Sequence, residues 1–194
     1  MAGGATGTVC AMTMRTLYVF FALAFGLTWG IAAVAIAAPE FVESVFGELS
    51  LTNPLFIVAV YGPAIAAFGL ILFHGGLPGL AAFSSRLTYW RCSLWWWAFL
   101  IVGIPALVYG AVAIKGTLGE EPFPFDPWYG AIPALAITLV IGPIEEFGWR
   151  GLALPLMQRR MAPIWAALTL GAVWAVWHVP AFLLSGTPQS AFSI

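Results

Sequence analysis

Long apolar stretches recur along the sequence, and each is long enough, or nearly so, to cross a bilayer as a helix. A spanning helix needs about 20 apolar residues, because each residue adds only 1.5 Å along the helix axis. Five stretches meet this description: Thr16 to Ala38, roughly Pro54 to Phe73, Leu94 to Ile114, a fourth beginning near Pro127, and about Pro163 to Leu184. The sequence therefore predicts an all-α fold, a polytopic bundle with about five transmembrane helices.

The composition supports a membrane location for the whole chain. Of its 194 residues, 62% are hydrophobic and 8% are charged, whereas soluble domains carry roughly 25% charged residues. So few polar groups cannot cover a soluble globular surface, and we expect residues 1–194 to form a single integral membrane domain in contact with the lipid bilayer. The net charge of −1 argues against a nucleic-acid partner.

The charged residues between the predicted spans fall into two groups. The first group lies before span one, between spans two and three, and between spans four and five, and all of its members are basic. The basic group is Arg15, Arg86, Arg91, Arg159 and Arg160, and the other group is Glu40, Glu43, Glu48, Lys115, Glu120, Glu121 and Asp126. Because cytoplasmic loops are enriched in arginine and lysine, this asymmetry predicts a multi-pass cell-membrane protein with a cytoplasmic N-terminus.

The fourth predicted span carries the string EEFGWR directly after fourteen residues that contain no ionisable group. A charge within a span costs about 2.5–3.5 kcal/mol on insertion scales, so three charges this close together indicate a function. Glu146 precedes Arg150 by four residues, a spacing that lets the two side chains pair along one helix face. Glu145 lies about 100° around the helix from Glu146. We therefore predict that Glu146 pairs with Arg150 while Glu145 stays available as a base.

The fifth predicted span contains His178 and, four residues earlier, Trp174 on the same helix face. If the chain turns between Arg159 and Ala162, the two adjacent helices place Glu145 about 21 Å and His178 about 24 Å from that turn, measured along the helix axis. A carboxylate and an imidazole at the same depth can activate water: the glutamate accepts the proton, and the histidine orients the water or holds a metal ion. Trp174 is expected to form a wall beside the imidazole.

Other functions remain compatible with these residues. Glu146 and Arg150 alone form a plausible structural ion pair, and His178 can be a merely packed side chain. Buried glutamate and histidine residues also relay protons in transporters, although the first three spans offer almost no polar groups to line a pathway. A non-catalytic immunity or scaffold protein is a further alternative. Neither an HExxH nor a GxSxG string occurs, which argues against those two hydrolase classes.

The two motifs resemble those of the CPBP family of intramembrane proteases, which includes CAAX prenyl endopeptidases and bacterial bacteriocin-processing, self-immunity and abortive-infection relatives. The EExxxR motif of that family matches Glu145, Glu146 and Arg150, and its FxxxH motif matches Trp174 to His178 with Trp in place of Phe. The resemblance covers about 127–184 in detail, and the flanking sequence is similar to the bacterial branch, which implies a bacterial plasma membrane.

The resemblance implies that the chain is an endopeptidase acting on a peptide or protein substrate within a membrane cavity. It implies Glu145 as the water-activating carboxylate, Glu146 with Arg150 as its support, and His178 as the first catalytic histidine. It also implies a divalent metal such as zinc, for which Glu145 and His178 are the candidate ligands. Family members carry another histidine on a later span, and no such residue follows His178 here. We therefore expect a C-terminally truncated member of the family.

Overall fold

The computed structural model describes residues 12–50, 52–88, 91–115, 128–130, 132–133 and 143–185, together with Thr187 and Ser190. All regular structure within these residues is helical, which confirms the predicted all-α class. The chain divides into two compact units, Met1–Ser84 with Ile141–Ile194, and Ser85–Val140. All residues of the predicted site belong to the first unit.

The helical elements follow one another along the chain with short breaks. They are α1 (Met14–Ala37), α2 (Pro39–Phe46), α3 (Pro54–Val60), α4 (Gly62–Ser84), a 3₁₀ turn (Ser85–Thr88), α5 (Leu94–Ala98), a π-helical turn (Phe99–Gly103), α6 (Ile104–Lys115), a 3₁₀ turn (Trp128–Gly130), α7 (Glu146–Gly148), a second π-helical turn (Trp149–Ala153), α8 (Leu154–Met157), α9 (Pro163–Trp177) and α10 (Val179–Leu183).

Four segments within the described residues are long and apolar enough to cross a membrane. They are Met14–Ala37, Gly62–Ser84, Leu94–Ala111 and Pro163–Leu183, and they correspond to the first, second, third and fifth predicted spans. Most of the fourth predicted span, including Gly142, lies outside the described residues. From Pro143 to Glu145 the backbone forms a turn, and α7 follows it.

The second span begins at Gly62, later than the predicted start at Pro54, and the chemistry of Pro63 accounts for the difference. Proline has no N–H to donate to the carbonyl four residues earlier, which here belongs to Ala59. The hydroxyl of Thr28 on α1 instead donates to the Ala59 carbonyl at 2.7 Å. The helix from Pro54 therefore ends at Val60, and α4 starts after a turn that is fastened to α1.

The core of the first unit lies between α1, α4 and the segment 146–157. Its largest fully buried side chains include Phe20, Ile71, Trp149, Leu152 and Leu156. The ring of Trp149 packs edge-on against Phe20, with ring centroids 5.4 Å apart. This packing fixes the backbone that carries Glu145, Glu146 and Arg150 against the first span.

Candidate active site

The backbone from Glu145 onward is a helix with an irregular turn in its middle. Glu145 has α-helical dihedral angles (φ −65°, ψ −26°) and caps α7. The next turn is π-helical, and the Leu154 N–H donates to the Trp149 carbonyl. Pro155 explains this irregularity, since its ring would collide with the carbonyl four residues earlier in a regular α-helix. Such π-helical turns are frequent at functional sites, and this one carries Arg150.

Glu146 and Arg150 form the ion pair that their spacing predicts. The Arg150 Nη1 contacts the Glu146 Oε1. The second carboxylate oxygen of Glu146 is buried and has no hydrogen-bond partner within the described part of the chain. Glu146 is thus held on one side by a cation and enclosed on the other, which suits a supporting role.

Glu145 points to a different neighbour. The indole N–H of Trp174, on α9, donates to the Glu145 Oε2 at 3.3 Å. The indole of Trp149 also faces the Glu145 carboxylate, although its buried N–H has no hydrogen-bond partner within the described residues. The carboxylate further interacts electrostatically with His178 and Arg150. Glu145 is therefore separate from the Glu146–Arg150 pair and is turned toward α9.

His178 is held by the same tryptophan. Its Nδ1 lies 2.9 Å from the Trp174 carbonyl oxygen, and a carbonyl can only accept, so Nδ1 carries the proton. In the neutral ring, Nε2 then has a free lone pair and acts as an acceptor. The rings of Trp174 and Trp177 pack edge-on against the imidazole, with centroids 4.4 and 4.7 Å away. Both the tautomer and the orientation of the imidazole are thereby fixed.

The break in the helix at His178 also follows from the sequence. Pro180 cannot donate to the Val176 carbonyl, and α9 ends at Trp177 with His178 at its C-cap.

The contact between Trp174 and the imidazole was predicted from the four-residue spacing. The indole bond to Glu145 and the second wall at Trp177 were not predicted, although Trp177 is adjacent to His178 in the sequence.

Trp174 links Glu145 and His178 within the first unit, since its indole N–H binds the first residue and its carbonyl oxygen binds the second. Within the described residues the two side chains share no direct hydrogen bond, and Trp174 contacts both of them. A cavity of about 120 Å³ is lined by Trp149, Arg150 and Trp174 among others, and neither Glu145 nor His178 is among the described residues that line it. At roughly 30 Å³ per water molecule, this volume holds a few waters.

The residues described here do not make a complete zinc site. A catalytic zinc ion takes three protein ligands and leaves one position open. Because Glu146 is paired with Arg150, only Glu145 and His178 remain as donors at this site. No group of three or more His, Cys, Asp or Glu side chains with metal-binding geometry occurs among the described residues. The donor set does not fit, so no reaction step is assigned to a metal ion.

Comparison with known proteins identifies the C-terminal part of the chain. The family described as type II CAAX prenyl endopeptidase Rce1-like matches residues 127–194. The CAAX prenyl protease 2 of Methanococcus maripaludis is 33% identical over 58 residues, which make up 30% of this chain and 21% of that protein. The match thus spans about a fifth of the relative's length. No solved structure matches the chain.

The family match covers the region that carries the EExxxR and FxxxH-like motifs. It agrees with the four apolar helices of spanning length and with the multi-pass membrane location that the composition predicts. Residues 127–194, which carry both motifs, are thus similar to the family of type II CAAX prenyl endopeptidases.

Proposed function

We propose that the chain is a membrane-embedded endopeptidase in which Glu145 activates water and His178 orients it. One observation carries this proposal: Trp174 binds the Glu145 carboxylate through its indole N–H and the His178 ring through its carbonyl oxygen. A single residue therefore sets the mutual position of a base and an imidazole. The similarity of residues 127–194 to a family of endopeptidases supports peptide-bond hydrolysis as the reaction.

The arrangement suits a general-base mechanism. A water molecule between the two groups would give a proton to Glu145 and donate a hydrogen bond to the His178 Nε2. The water oxygen forms a bond to the scissile carbonyl carbon, and the carbon–nitrogen bond then breaks. The proton held by Glu145 passes to the leaving amine, so the carboxylate is regenerated.

Glu146 and Arg150 would support this chemistry without taking part in proton transfer. Their ion pair stabilises a charged side chain within an apolar segment, where an unpaired charge is costly. Arg150 also interacts electrostatically with Glu145.

The substrate class follows from the family and the relative. The matched family and the archaeal relative are both described as CAAX prenyl proteases, so we propose a prenylated CAAX-type peptide as the first substrate to test. A leader or immunity peptide without a lipid is the second. The role of Glu145 and His178 as metal ligands remains a prediction.

The His178→Ala variant tests the proposal. In vesicles containing the purified chain, we expect cleavage of a farnesylated CAAX peptide to fall about a hundredfold, because the water loses its orienting group. His74→Ala is the matched control: its Nδ1 also binds the carbonyl four residues earlier, that of Leu70, at 2.8 Å. Similar loss in both variants, or cleavage unaffected by His178→Ala, would contradict the assignment. Wild-type protein that cleaves neither peptide would favour a non-catalytic immunity or scaffold role.

The Trp174→Phe variant tests the bridge between the two groups. Phenylalanine keeps an aromatic wall and the backbone carbonyl but removes the indole N–H. We expect kcat to fall about two- to tenfold, the worth of one hydrogen bond, with little change in KM. Trp165→Phe, an exposed tryptophan on the same helix, should leave kcat unchanged. An unchanged kcat in Trp174→Phe would show that the indole bond does not position the base.

A further inference from the structure

The second candidate span, Gly62–Ser84, does not continue as one straight helix. Gly76 inside it has a φ of 58° and a ψ of −163°, a combination that only glycine adopts readily. The helix is thereby divided into a first arm, residues 62–75, and a second arm, residues 77–84. Pro78 lies in the first turn of the second arm, where its missing N–H leaves no helical bond unmade.

A contact between two aromatic rings indicates that the chain reverses direction at Gly76. Phe68 lies in the first arm and Phe83 in the second, and their ring centroids are 5.4 Å apart. The two residues are fifteen positions apart, which along a continuous helix would separate them by about 22 Å. The two arms therefore pack against each other as a helical hairpin.

The segment that carries Arg150 contacts both ends of this hairpin. A Cβ atom added to Gly148 would collide with Pro63, and one added to Gly151 would lie 2.8 Å from the ring of Phe83. Along a continuous helix Pro63 and Phe83 would be about 30 Å apart, whereas Gly148 and Gly151 are separated by only about 4.5 Å. A second, independent set of contacts thus requires the same reversal.

The contacts with α1 show at which level the chain reverses. The Thr28 hydroxyl donates to the Ala59 carbonyl, and a Cβ atom added to Gly62 would lie 3.4 Å from the Ala24 carbonyl oxygen. As the chain advances from 59 to 62, its contacts on α1 move back from 28 to 24, so the first arm runs toward the start of α1. That start is about 15 Å from Ala24, and the reversal point is about 21 Å beyond Gly62. The reversal therefore lies at or beyond the end of α1.

The chain before the reversal is long enough to cross a bilayer. The Tyr61 N–H donates to the Ile57 carbonyl, and the Ile65 N–H donates to the Tyr61 carbonyl, so helical bonding leads from α3 into the first arm. Residues 54–75 together extend about 33 Å, whereas the first arm alone extends about 21 Å. The hydrocarbon core is about 30 Å thick, so a crossing requires α3 together with the first arm.

We propose that residues 54–75 make the crossing and that the second arm returns into the membrane as a re-entrant helix. The tip of the hairpin, residues 73–77, lies in the phospholipid headgroup region at the surface where α1 begins. Phe73 and Leu77 flank the reversal and are exposed, and apolar side chains of this kind bury themselves at the boundary of headgroups and acyl chains. The second arm holds the segment that carries Arg150 through the contact between Phe83 and Gly151. The proposal concerns the path of the backbone and does not depend on peptidase activity.

Thiol labelling of the full chain in phospholipid vesicles tests the position of the tip. Cys10 and Cys92 are replaced by serine, and a charged maleimide is present on both sides of the membrane. His74→Cys should react as fast as Glu40→Cys, which replaces an exposed residue of α2. Ile65→Cys, in the first arm, should react at least about tenfold more slowly until detergent is added, because hydrocarbon disfavours the reactive thiolate. In a continuous span His74 would lie near the centre of the bilayer, so an unreactive His74→Cys would overturn the proposal.

Cross-linking tests the reversal itself. Phe68→Cys with Phe83→Cys should be joined by a bifunctional thiol reagent too short for the roughly 22 Å of a continuous helix, detected as a linked peptide by mass spectrometry. Val58→Cys with Phe73→Cys has the same spacing within residues 54–75 and should stay unlinked. Equal linking of the two pairs, or none in the first, would contradict the hairpin. If the first pair does not fold, labelling of His74→Cys, an exposed position, decides the question.

Discussion

Replacing Glu145 with glutamine is expected to lower kcat for peptide cleavage about a thousandfold while leaving the fold intact. Glutamine keeps the size of the side chain and an oxygen that can accept the Trp174 indole bond seen at 3.3 Å. It cannot accept a proton from water, and general-base catalysis contributes roughly 10²–10⁴-fold. The measurement is initial cleavage rate in vesicles at saturating substrate, with far-UV circular dichroism and thermal unfolding to verify the fold.

The control for this variant is Glu40→Gln, which alters an exposed carboxylate in α2 and should leave kcat within twofold of wild type. Glu146→Gln makes a second comparison. Because Glu146 contacts Arg150, its loss should lower stability as well as activity. If Glu145→Gln instead unfolded the protein while Glu146→Gln left folding untouched, the roles of the two acids would be reversed. Equal cleavage by Glu145→Gln and wild type would remove the catalytic assignment.

Residue spacing predicted the parts of the site that depend on helix geometry alone. The pairing of Glu146 with Arg150 follows from a separation of one helical turn, and the structure contains it. The similar depth of Glu145 and His178 follows from counting residues on each side of the turn between two helices. In the structure Trp174, one turn before His178, binds Glu145, and the common depth of the two groups remains a prediction.

Side-chain direction and the contacts between helices could not be predicted in the same way. Whether Trp174 turns its N–H toward an acid depends on the rotation of α9 relative to α7, which neither segment specifies alone. The start of α4 at Gly62 depends on a hydroxyl from another helix, Thr28. The π-helical turn begins directly after a close contact between α7 and the start of α4, and periodicity within one segment does not reveal that contact.

That close contact gives the largest expected effect on stability. Gly148 in α7 lies directly against Pro63, which is in the first turn of α4. A Cβ atom added to Gly148 would lie 2.6 Å from the Pro63 carbonyl carbon. The obstacle is backbone, which cannot rotate away as a flexible side chain does. Overpacking a well-packed interior costs about 1–3 kcal/mol, and we expect Gly148→Ala to reach the upper end, about 3 kcal/mol.

A loss of this size should lower the midpoint of thermal unfolding by about 6–12 °C for a chain of this length, measured in detergent by intrinsic tryptophan fluorescence. The control is Gly69→Ala in α4, where no atom lies within 4 Å of an added Cβ and alanine should stabilise the helix slightly. Gly148 lies between Glu146 and Arg150, so its displacement should also reduce cleavage. A Gly148→Ala variant that unfolds at the wild-type temperature would mean that α7 and α4 are not packed this closely, and the position of Glu145 relative to α9 would then lose its structural support.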